Sequence, residues 1–142
     1  MTVKLSSAAL GDIAHSAAVP AYDPIMLTPG ILHFGVGNFH RAHQAVYLDD
    51  LFNKGHGHDW AIIGAGVMPS DVAMREKLAE QNYLTTVVEQ DNNRTAARVT
   101  APMIDMLAPG ETEAIVMTLA DPRIRIVSMT ITEGGYFIDA SG

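Results

Sequence analysis

The sequence predicts an α/β fold built on a doubly wound, mostly parallel sheet with one additional hairpin strand. Three observations carry that expectation. From Ile31 onward, short apolar runs alternate with helix-periodic segments, the signature of βα units on a parallel sheet. One of those runs leads directly into Gly35-Val36-Gly37 and then into a helix. The chain has 142 residues and is 48% hydrophobic, enough for one domain with a core of its own.

Strands are expected over residues 31–36, 60–67, 83–89 and 124–131, with a short extra strand near 98–101. Helices are expected over 39–51, 71–80 and 111–119. Asp91-Asn92-Asn93 reads as a hairpin turn, because Asn and Asp tolerate positive φ. Residues 1–30 read as a preamble, with a short helix over 6–13 followed by a Pro/Gly-punctuated loop over 19–30. Residues 31–142 are expected to form the domain proper.

Composition excludes several functions. The formal net charge is −7 and no run of Lys or Arg occurs, so nothing is present to neutralise a nucleic-acid backbone or an anionic membrane. Cysteine is absent, which removes disulfides and thiolate zinc sites. No apolar stretch matches a signal-peptide core or a membrane span, and the expectation is a soluble, cytoplasmic protein.

The segment ILHFGVGNFHRAH, residues 31–43, holds the sharpest local feature. A first glycine permits a tight turn, and a second lets backbone approach a pyrophosphate with no Cβ in the way. The backbone N–H groups of Asn38, Phe39 and His40 would then face the phosphates at the positive end of a helix. His40 stands where the third small residue of the usual fingerprint would be. On pattern alone two readings stay open: a dinucleotide site over Gly35 and Gly37, or glycines that merely turn a strand into a helix.

A dinucleotide site of this kind places an acid after the second strand to bind the adenosine ribose. Asp71 is the first acid after that strand, and the insertion 53–59 accounts for its distance from Gly37. The alternative makes Ser70 an N-cap and Asp71 a first-turn acid favouring the helix dipole, and the two roles are compatible. An acid there without a nearby Arg favours NAD over NADP.

His40 and His43 lie three apart on one helix, with Asp49 or Asp50 beyond, but no third ligand converges and no metal is expected. His56 and His58, in a Gly-rich loop, read as solvated, and His33, inside the first strand, as a hydrogen-bonded structural residue. The last strand ends in Thr132-Glu133-Gly134-Gly135-Tyr136. Position alone leaves Glu133 either beside the ligand crevice or as an ordinary loop acid.

Together, GVGNFHRAHQAVYLDDL, DWAIIGAGV and IRIVSMTITEGGY resemble the mannitol dehydrogenase family of long-chain polyol dehydrogenases, from Ile31 to the end of the chain. The resemblance implies a Rossmann-like domain that binds NAD, with His40 belonging to the family's own pattern. It implies metal-independent oxidation of a secondary hydroxyl of a sugar alcohol to a ketose such as fructose, or the reverse. It further implies a C-terminal helical domain, absent here, that carries the catalytic lysine; Glu133 would line the catalytic centre in an auxiliary role and Asp71 would select the cofactor. Fructuronate and tagaturonate reductases and arabinitol dehydrogenases share much of this domain. Two other classes stand beside this one: a non-catalytic NAD-binding module, and a nucleoside-cofactor methyltransferase, against which HRAH and TEGGY argue.

Overall fold

The computed structural model of the protein describes residues 3–131. A 3-10 turn at Ser7–Ala9 leads into α1 (Leu10–Ile13), and a second, at Pro24–Met26, precedes β1 (Pro29–Phe34). Then follow α2 (Asn38–Ala42), α3 (Gln44–Asn53), β2 (Ala61–Ala65), α4 (Asp71–Glu80), β3 (Thr85–Gln90), β4 (Thr95–Thr100), β5 (Met103–Leu107), α5 (Thr112–Leu119) and β6 (Ile126–Met129). Four strands form a parallel sheet in the order β5-β2-β1-β6, while β3 and β4 form a separate antiparallel hairpin. The doubly wound α/β architecture is therefore as the sequence predicts. The strand order reverses between β2 and β6 on either side of β1, which makes the carboxyl end of β1 the topological switch point.

β1 is buried from Pro29 to His33, the expected pattern of a central parallel strand covered on both faces. Leu32 faces Ile63 of β2 on one side and Val127 of β6 on the other. Adjacent residues of β2 point opposite ways, so Ala61 joins a core with Tyr22, Phe52, Leu84 and Val99. Ile62 joins another with Ile31, Val36, Leu78, Met103 and Met106.

Two expectations are corrected and one strand is added. Residues 83–89 do not continue the parallel sheet: Thr85–Gln90 pairs with Thr95–Thr100, and the turn is held by Asp91 Oδ1, which accepts from Asn93 N at 2.7 Å and Arg94 N at 2.8 Å. The third parallel neighbour is instead Met103–Leu107, which the sequence reading leaves unassigned. The helix over 39–51 breaks at His43, whose φ of −124° and ψ of −82° are not helical. Its imidazole Nδ1 donates to Phe39 O at 2.8 Å, taking the acceptor its own backbone N–H would use in an unbroken helix, while that N–H turns to His40 O at 3.3 Å.

Residues 18–27 are tied into the body. Ala18 N donates to Ala97 O at 3.1 Å and Ala18 O accepts from Val99 N at 2.7 Å, extending the hairpin by one bridge. Tyr22 and Leu27 are buried in the first core. Among the described residues, no helix is long and apolar enough to cross a membrane.

Candidate functional site

The two glycines after β1 are glycine for different reasons. Gly35 has φ of +85°, and a Cβ there would lie 3.1 Å from Thr130 O, so the backbone itself demands glycine. Gly37 has an ordinary φ of −110° and an extended ψ of −173°. A Cβ there would meet nothing nearer than Gly35 O at 4.0 Å. The fold does not require glycine at 37, and the space over it is open. Its carbonyl accepts the first bond of α2, from Arg41 N at 3.1 Å, so the N–H groups of Asn38, Phe39 and His40 precede the helical ladder.

Arg41, which the sequence reading does not single out, clamps this turn. Its guanidinium donates from Nε to Gly37 O at 3.3 Å and from Nη2 to Asn38 Oδ1 at 2.6 Å. The signal that could have found it is a basic residue one helical turn beyond the second glycine. Phe39 is exposed and stacks on His43, with ring centroids 4.3 Å apart.

The imidazole of His40 points inward, onto His33. The residue is 1% exposed and its ring lies face to face with His33, centroids 3.8 Å apart and planes 15° from parallel. Burial, then the neighbouring His33 and Arg41, holds its pKa down to about 3. His33 is hydrogen-bonded as expected: Nδ1 lies 2.8 Å from Ser128 Oγ, and Nε2 lies 3.1 Å from Thr130 Oγ1 and 3.3 Å from Gly35 O.

Asp71 opens α4, on the loop that follows β2. Its Oδ2 accepts from Val67 N and Met68 N, both at 2.9 Å, and Oδ1 has no hydrogen bond among the described residues. Ser70 occupies the N-cap position but its side chain makes no capping bond. Because Gly35 N donates to Ala65 O at 3.4 Å, the glycine turn and the Asp71 loop leave adjacent strand ends.

The suspected metal ligands diverge. His40 stacks on His33, His43 on Phe39, and Asp49 is occupied by Tyr22 and Arg98. No group of three or more potential ligands that could hold a metal occurs among the described residues. His58 corrects its expectation: it is half-buried against Tyr22 and Phe52 and donates from Nε2 to Phe52 O at 3.0 Å. Glu133, Gly134 and Gly135 lie outside the described residues.

A parallel sheet with a switch point, a strand–glycine–helix turn and an acid after the next strand define a Rossmann-type domain. The sequence profile of the mannitol dehydrogenase Rossmann domain matches residues 29–140, and the chain belongs to that family. It is 57% identical to a mannitol 2-dehydrogenase of Cereibacter sphaeroides over 131 residues, covering 92% of this chain and 28% of that protein. It is 42% identical to a polyol:NADP oxidoreductase of Gluconobacter oxydans (strain 621H), covering 92% of this chain and 27% of that protein. Among solved structures, the Pseudomonas fluorescens mannitol 2-dehydrogenase in ternary complex with NAD and D-mannitol superposes with a TM-score of 0.91 at 46% identity, over 99% of this chain and 29% of that one. The chain thus spans about 28% of the length of the relatives it matches.

Proposed function

We propose that this chain is the cofactor-binding part of an NAD-dependent polyol dehydrogenase that interconverts a sugar alcohol and its ketose. The observation that carries the proposal is Gly37, where open space and an unstrained backbone leave a ligand as the reason for glycine. A pyrophosphate over the turn would accept from the N–H groups of Asn38, Phe39 and His40, with the Arg41 guanidinium adding positive charge at its base. The family membership and the NAD complex of the Pseudomonas fluorescens relative support the same cofactor. Bound NAD supplies the hydride acceptor at the alcohol carbon; the hydroxyl proton must go to a base. We assign that base, a lysine by resemblance to the family, to the part of the protein beyond this chain, and give Glu133 an auxiliary place in the same centre. Exposed Val116 and Met117 on α5, and Ile126, Val127 and Met129 on the edge strand β6, support further chain covering these surfaces.

Gly37→Val tests the site directly. An extended backbone suits a β-branched side chain, so the thermal midpoint should stay near wild type. The side chain would occupy the phosphate position, and the Kd for NADH from fluorescence titration should rise at least ~30-fold, on the order of 2 kcal/mol. Equal Kd values for the two folded proteins would place the cofactor elsewhere.

Asp71 is proposed as the acid that prefers NAD. With Oδ2 used by the loop, Oδ1 remains for a ribose hydroxyl, and the carboxylate repels a 2′-phosphate. The Gluconobacter oxydans relative, named for NADP, favours the alternative that cofactor choice differs within the family. Asp71→Ala should shift the ratio of Kd values for NADH and NADPH about tenfold toward NADPH, roughly 1.4 kcal/mol. An unchanged ratio would leave Asp71 the task of shaping the 67–68 loop alone.

A further inference from the structure

Beneath the glycine turn, one imidazole touches both walls of the switch-point crevice. His33 reaches Gly35 O on the turn, and Ser128 Oγ and Thr130 Oγ1 on or just beyond β6. A single tautomer satisfies these contacts. Gly35 O can only accept, so Nε2 carries the proton and Nδ1 accepts from the Ser128 hydroxyl; Ser128 Oγ in turn accepts from Gln44 Nε2 at 3.4 Å. The polar chain therefore runs in one direction from α3, through β6 and β1, to the carbonyl of the residue whose φ is +85°.

His40 closes this arrangement from above. It covers the His33 ring at 3.8 Å, yet both of its own nitrogens are buried without a hydrogen-bond partner among the described residues. A buried polar atom left unpaired costs stability, and a phenyl ring would fill the same slot without that cost. Packing alone is then a poor reason for the pair. Its placement is informative: the turn that would hold the phosphates and the strand end that faces the reacting end of the cofactor are held at one separation by one ring, and that ring is held flat by another.

We propose that His33 and His40 are positioning residues of the dinucleotide site, the stacked pair fixing the separation between the Gly35–Gly37 turn and the carboxyl end of β6. The proposal rests on the reading that this crevice binds NAD. It requires no contact between either imidazole and the cofactor: His33 acts through the Gly35 carbonyl and Thr130, and His40 acts through His33.

The test compares NADH binding by wild type, Gly37→Val, His33→Phe and His33→Gln, at a temperature well below each unfolding midpoint and with the folded fraction checked by circular dichroism. His33→Phe keeps the stack but cuts the polar bridges, and should raise Kd about tenfold in folded protein. His33→Gln can again donate to Gly35 O and accept from Ser128 but loses the stack on His40, and should recover only part of the affinity, to about threefold weaker than wild type. A merely structural role would lower the midpoint and leave Kd unchanged. If Gly37→Val loses binding while His33→Phe binds like wild type, the positioning proposal is wrong and the dinucleotide site stands. If wild type and Gly37→Val bind alike, the dinucleotide reading itself has failed. A measurement on wild type decides the matter even if both His33 variants fail to fold: saturation with NADH should move the imidazole 15N resonances of His33, and unmoved resonances would overturn the proposal.

Discussion

Asp49→Ala is expected to remove about 3–5 kcal/mol of folding stability, a large share of the 5–15 kcal/mol that typically holds a domain together. Asp49 is 1% exposed, and four groups from separate parts of the chain converge on its carboxylate. Oδ1 accepts from Tyr22 Oη at 2.6 Å and Ala101 N at 3.3 Å; Oδ2 accepts from Asn53 Nδ2 at 3.0 Å and from Arg98 Nη2. The preamble, α3, the hairpin and the approach to β5 are thus joined at one buried anion. Removing it leaves Arg98 with only the exposed Asp50 and leaves the Tyr22 hydroxyl, whose pKa burial and then Asp49 already push far upward, buried without its acceptor. Asp50→Ala is the control, because that pair is half in solvent and should cost under about 1 kcal/mol. Urea unfolding measures both, with Asp49→Ala also lowering the thermal midpoint on the order of 10 °C. Equal losses for the two variants would show that burial of the Asp49 pair contributes nothing special.

That network also marks where sequence reasoning stops. Asp49 and Asp50 are adjacent acids on a helix that both meet Arg98, 49 and 48 residues away, and nothing local tells that one is buried there while the other is half in solvent. The glycine turn was legible because its signal is local: φ above zero at Gly35 and absence of a Cβ at Gly37 are properties of single residues between an apolar strand and a helix. α4 was legible for the same reason, its bounds set by Asp71 and the polar residues that follow. β5 was not. Met-Ile-Asp-Met-Leu lacks a β-branched run and carries an acid at its centre, tolerated because Asp105 Oδ1 accepts from Tyr83 Oη at 2.9 Å and Met106 N at 2.7 Å. The hairpin was legible in part: Asp91-Asn92-Asn93 marks the turn that joins Thr85–Gln90 to Thr95–Thr100, but the strand composition of Thr85-Thr86-Val87-Val88 does not tell that this pair stands apart from the parallel sheet. The inward turn of His40 was equally hidden, since its motif position fixes the backbone amide and leaves the ring to the packing of β1 against α2.

The second large effect follows from that ring. His40 titrates at about 3 in the folded protein against 6.5 for an ordinary imidazole, because burial, the facing His33 and the adjacent Arg41 all disfavour its charged form. His33 is shifted in the same direction, chiefly by burial, with its bond to Gly35 O opposing. As pH falls past 6.5, the unfolded chain takes up a proton that the folded chain refuses, so the contribution of a neutral His40 is fully present above about pH 6.5 and is lost progressively through the window down to about pH 3. At roughly 1.4 kcal/mol per pKa unit, the loss between pH 7 and pH 4 is about 3 kcal/mol for this one residue. Carboxylates in ion pairs add acid lability of their own, so the informative quantity is a difference. His40→Phe keeps a flat ring over His33 and cannot titrate; it should match or exceed wild-type stability at pH 7, where it removes two unpartnered nitrogens, and its advantage should widen by about 3 kcal/mol by pH 4. Urea unfolding of both proteins at pH 7, 5.5 and 4 measures that widening. Parallel stability curves across the series would mean that His40 is protonated in the fold without penalty, and that the stacked pair is not held neutral at all.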